Sequence, residues 1–120
     1  MKRLAFISRH APTQEQIDLA EKLGHQIVHV GDVDAFQPGF LSEVKEKTAG
    51  FDAISAVHPN ILLTQAFGSY DDSGLPCWVF ENGARPTEGG KPEFFCKGVV
   101  VWTPEVGDSY FTIRPVYHSA

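Results

Sequence analysis

Four short apolar runs, each ending in a polar turn, constrain this chain more than any other feature. They are RLAFIS at 3–8, HQIVHV at 25–30, FDAISAV at 51–57 and PCWVFE at 76–81. Each has the length and composition of a buried strand. The segments between them carry helix signals. Thr13 and Gln16 have capping-box spacing, in which a hydroxyl and an amide satisfy free backbone N–H groups at a helix start, and Pro12 blocks any earlier start. The spacing predicts a helix over 13–23, with Ile17, Leu19, Ala20 and Leu23 as its apolar side and Gly24 ending it in a left-handed conformation. A second, more charged helix is expected at 40–48, closed by Gly50. Pro59 suits the first turn of a third, ILLTQAF, because the missing N–H is not needed there.

After the loop GSYDDSG and the fourth strand comes NGARPTEGGKP, a Gly- and Pro-rich segment read as a long loop. FFCKGVVVW at 94–102 follows without an intervening helix, so a fifth strand turns back antiparallel. Pro115 limits SYFTIRPVY to an edge strand at most. Parallel neighbours need crossovers of about a dozen residues or more. The order β-α-β-α-β-α-β therefore predicts a single Rossmann-like α/β domain over 1–120. It would have a mostly parallel sheet, helices on both faces and an antiparallel C-terminal strand or hairpin.

Composition narrows the function classes. Ten Lys and Arg against fifteen Asp and Glu give a net charge of -5, which provides no global attraction to duplex nucleic acid or to an anionic membrane. An anionic ligand needs a local cationic pocket. No run reaches the roughly 20 apolar residues of a membrane span, and MKRLAFISRH lacks the features of a signal peptide, so a cytoplasmic location is expected. Cys77 and Cys96 lie in apolar strand-like segments without CxxC spacing and read as buried thiols. His25, His29 and His118 have no metal-ligand spacing, and no metal or cofactor is expected. GxGxxG, GxxxxGK[ST] and GxSxG are all missing. Trp78, Phe80, Phe94, Phe95 and Trp102 alternate as strand core does.

Ligands of parallel α/β sheets bind at the carboxyl ends of the strands. The polar residues at those ends are Ser8, Arg9 and His10 after the first strand, Asp32 after the second, His58 and Asn60 after the third, and Asn82 and Arg85 after the fourth, with Lys91 on the same long segment as Arg85. Two helix N-termini, near Thr13 and Pro59, would aim free N–H groups at that edge and favour an anionic group such as phosphate. Arg9 and Lys91 suit phosphate charge, His10 suits proton transfer or hydrogen bonding to a leaving oxygen, and Ser8 and Asn82 suit orientation of the phosphate-bearing group. Asp32, His58, Asn60 and Arg85 complete the candidate binding set.

The run Ser8-Arg9-His10 at the end of the first strand resembles motifs of two families. Arg9-His10-Ala11-Pro12-Thr13 resembles the Arg-His-Gly-x-Thr strand end of histidine phosphatases, with alanine in place of their glycine and no second-histidine motif. More broadly, a strand ending in SRH, then a helix, the middle strand FDAISAVHPNILL, and a strand entering an Arg-containing loop resemble the small single-domain ring nucleases associated with type III CRISPR systems. That likeness covers roughly residues 3–86. It implies a cytoplasmic homodimer that binds a cyclic oligoadenylate and cleaves it without metal by attack of a ribose 2′-hydroxyl, the protein supplying positioning and charge. A symmetric ring can be read by two copies of one patch across a twofold axis. A module that senses or sequesters such a nucleotide without cleaving it uses the same groups, so that reading stays open, as does a phosphatase.

Overall fold

The computed structural model describes residues 1–66, 74–106 and 111–120. The elements are β1 (Lys2–Ile7), α1 (Gln14–Lys22), β2 (His25–Gly31), α2 (Phe40–Thr48), β3 (Ala53–Ala56), α3 (Pro59–Ala66), β4 (Cys77–Arg85), β5 (Glu93–Val106) and β6 (Phe111–Ser119). Phe67, most of GSYDDSG (residues 68–73) and Ser109–Tyr110 of the last expected strand lie outside the described residues.

The local signals of the first half act as read. Thr13 caps α1: its Oγ1 accepts from the Gln16 backbone N–H, and the Gln16 side chain accepts from the Thr13 N–H, completing the capping box. Gly24 follows at φ 79, a conformation that costs a side-chain-bearing residue more. α2 spans Phe40–Thr48 and α3 begins at Pro59.

The sheet itself corrects the expected architecture. Its strand order is β2-β1-β3-β4-β5-β6. The β2-β1-β3-β4 half is parallel, but its ladders hold only six, four and two residue pairs. The β4–β5 and β5–β6 ladders are antiparallel and hold nine pairs each. Three short helices of nine, nine and eight residues are all the helix among the described residues. The fold is thus a mixed six-stranded sheet with only three short helices among the described residues, not the expected mostly parallel, helix-covered Rossmann-like sheet.

The physical reason lies in the segment read as loop. Asn82, Gly83, Ala84 and Arg85 continue β4 because β5 offers them a ladder, pairing with Cys96, Phe95, Phe94 and Glu93. A partner strand overrides weak strand propensity. Gly83 serves that pairing: a Cβ there would lie 2.5 Å from the Phe95 ring. A bulge between Glu81 and Asn82 leaves Lys97 as the extra residue of β5.

Two apolar clusters cover opposite faces. On one, Leu19 and Ala20 of α1 pack on Leu4, Ala53, Trp78, Cys96 and Val99. On the other, Val44 of α2 and Ile61 of α3 pack on Ile7, Ile54, Ala56 and Cys77, with Val33 and Ala35 from the loop after β2. The strand-core reading of the aromatics holds for Trp78, 2% exposed, and fails for Phe94 and Trp102, 68% and 38% exposed. Both cysteines are free and buried. No helix among the described residues is long and apolar enough to cross a membrane.

Candidate functional site at the carboxyl edge

β1 is the centre of the parallel half, flanked by β2 and β3, and Ile7 is in register with both Gly31 and Ala56. The chain therefore leaves β1 at Ser8 between Asp32 on one side and Val57-His58 on the other. Three contacts hold this exit. The Ser8 N–H donates to the Gly31 carbonyl at 2.8 Å. The Ser8 carbonyl accepts from His29 Nε2 at 2.6 Å. Ser8 Oγ accepts from the His10 N–H at 3.1 Å, closing a tight turn around Arg9.

Ser8 is itself buried, whereas the side chains of Arg9 and His10 are exposed. The loop thus has a braced backbone and two free chemical groups, a cation and an imidazole. Ser8 acts through the backbone it holds. His29, read from the sequence as incidental, is the second brace, and its ring also meets Phe6 edge-on at 6.2 Å. The signal for it was its place two residues before the end of β2, within the β-branched run Ile27, Val28 and Val30.

Asp32 and Asn60 are exposed at the same edge, Asp32 beside the Ser8 exit and Asn60 in the first turn of α3. His58 precedes α3 and accepts the Ile61 N–H through its carbonyl. Its ring meets Phe36 edge-on at 4.9 Å, and its Nδ1 is buried without a hydrogen-bond partner among the described residues. Such an orphan costs on the order of 1–3 kcal/mol. Lys47 of α2, which sequence reasoning missed, donates to the Val30 carbonyl at 3.0 Å and places a second cation under the end of β2.

Asn82 is tied to α1, not to the first loop, by an indirect route. It pairs with Cys96, whose N–H donates to the carboxylate of Glu15 in the first turn of α1 at 3.1 Å. Arg85 and Lys91 are not brought to that loop. β3 ends one residue after its pairing with Trp78, while β4 continues to Arg85. At about 3.3 Å per residue, Arg85 lies roughly 20 Å further along the strand than Ala56. Its guanidinium sits 4.3 Å from the Phe95 ring. Lys91 is exposed in the hairpin turn, where its carbonyl accepts from the Thr87 hydroxyl.

Among the described residues no group of three or more His, Cys, Asp or Glu is placed to hold a metal ion. The edge offers charge, hydrogen bonds and a proton carrier, the groups that bind and stabilise a phosphoryl centre. No protein-family model, curated protein or solved structure matches the chain.

Proposed function

We propose that the carboxyl edge of the parallel strands binds a cyclic oligoadenylate and cleaves it by attack of a ribose 2′-hydroxyl. The observation that carries this reading is the braced loop Ser8-Arg9-His10, whose backbone is held by Gly31, His29 and Ser8 Oγ while Arg9 and His10 stay exposed. A cation and an imidazole carried on one braced turn suit phosphodiester cleavage, because the fixed backbone already sets where both side chains start.

The 2′-hydroxyl loses its proton to water and its oxygen attacks the adjacent phosphorus. The bond from phosphorus to the 5′-oxygen breaks, and protonated His10 supplies the proton that the leaving oxygen takes up. The products are a 2′,3′-cyclic phosphate and a 5′-hydroxyl. Arg9 neutralises the charge that grows on the phosphoryl oxygens. Asp32, Asn60 and Asn82 border the ribose and base, and Lys47 adds positive potential below. Two copies related by a twofold axis would enclose the ring.

Incubation with cyclic tetra- and hexa-adenylate, followed by chromatography, tests this reading. Linear fragments with 2′,3′-cyclic phosphate ends support it. Intact ring recovered from denatured protein would make the chain a sensor or sponge, and no retention of either ring would refute a nucleotide site. Light scattering that shows a monomer at micromolar concentration, with and without ring, would refute the dimer.

A further inference from the structure

The loop between β2 and α2 spends its apolar residues unevenly. Val33 and Ala35 are 5% and 7% exposed in the core, yet Phe36 beside them is 80% exposed. The loop thus reaches the core and still holds its largest side chain out of it. The backbone there is fixed: Asp34 Oδ1 accepts the Phe36 N–H at 3.0 Å, and the Asp34 carbonyl accepts the Gln37 N–H at 3.1 Å. The ring meets His58 edge-on, 84° between planes, and Val57 next to His58 is 76% exposed. Because β1 lies between β2 and β3, this contact spans the end of β1, beside the Ser8 exit.

An exposed phenyl ring and an Nδ1 buried without a hydrogen-bond partner among the described residues meet at this one contact, and a buried orphan polar atom is unfavourable for folding. Their joint presence beside a cationic loop marks a surface shaped for a ligand with an aromatic part and an anionic part.

We propose that Phe36 is the base-stacking residue of the site, taking one adenine face against its open ring while Arg9 holds the adjoining phosphate. The proposal rests on the reading of this edge as a nucleotide site and assigns its specificity for a purine base. Stacking on an aromatic side chain is tolerant of base identity but scales with the overlap of the rings, which favours adenine over uracil.

The test measures binding of cyclic tetra-adenylate, cyclic tetra-uridylate and ribose 5-phosphate to the wild type and to Phe36→Ala, Phe36→Leu and Phe36→Trp. Phe36→Ala should weaken the adenylate ring about five- to a hundredfold, weaken the uridylate ring less, and leave ribose 5-phosphate unchanged. Phe36→Leu should resemble Phe36→Ala, because it restores apolar area without a π face, and Phe36→Trp should recover the affinity. Equal affinity of wild type and Phe36→Ala for the adenylate ring overturns the stacking role and leaves the nucleotide site standing. Equal losses for ribose 5-phosphate and the adenylate ring also overturn it, as a structural role would produce them. A changed oligomeric state with unchanged affinity assigns Phe36 to a contact between copies instead. A wild type that holds neither ring refutes the nucleotide site and this proposal with it.

Discussion

Cys77 allows the most quantitative forecast. It begins β4, is 2% exposed, and its thiol donates to the Leu62 carbonyl at 3.3 Å. Burial pushes the thiol up to about 12 from the ordinary 9.0, because the thiolate would lose its hydration. Between those two values the unfolded chain has lost the proton that the folded chain keeps. Stability from this group is therefore complete below pH 9 and declines as pH rises toward 12. At pH 10.5, roughly one and a half pH units into that window, the loss is about 2 kcal/mol at about 1.4 kcal/mol per unit.

Urea unfolding of wild type and Cys77→Ser at pH 8 and pH 10.5 isolates the effect. Serine keeps a donor for Leu62 and does not ionise in this range, while every other ionisable group is common to both proteins. The wild type should lose about 2 kcal/mol more than the variant between the two conditions. The native thiolate fraction at pH 8 should also be about a thousandfold below that of an unfolded thiol, so disulfide reagents should reach Cys77 only through unfolding. Parallel pH profiles for the two proteins, or labelling of native Cys77 within seconds, would refute the placement of this thiol in the core.

Other outcomes concern the site. Arg9→Ala should weaken ring binding about ten- to a hundredfold through loss of a charge-assisted contact, and His10→Ala should cut turnover by about a hundredfold or more with affinity within a few fold; isothermal titration beside single-turnover cleavage separates the two. Both variants should melt within a few degrees of wild type, since both side chains are exposed. Because the proposed nucleophile is the ligand's own hydroxyl, EDTA should leave the cleavage rate unchanged, and a loss restored by a divalent metal would contradict that step. Thr13→Ala should cost about 1 kcal/mol by removing one side of the capping box, read as a fall of a few degrees in thermal melting.

The helices and the start of the sheet were legible residue by residue because their determinants are local. A cap such as Thr13 with Gln16, a left-handed stop such as Gly24 and a first-turn proline such as Pro59 each act within one helical turn of themselves. The strand-end position of Arg9 and His10 is local in the same way, since it follows from where an apolar run ends, whereas the bracing by Gly31 and His29 is not. What lay beyond local reading was decided by partners distant in sequence. Asn82 to Arg85 are strand because Glu93 to Cys96 stand opposite them, and that pairing turned an expected loop into the longest ladders of a mixed sheet. His29 became a brace and Phe36 a neighbour of His58 only when β1 came to lie between β2 and β3. Cross-strand hydrogen bonds and contacts over the end of a strand join residues tens of positions apart, and no local propensity or spacing encodes them.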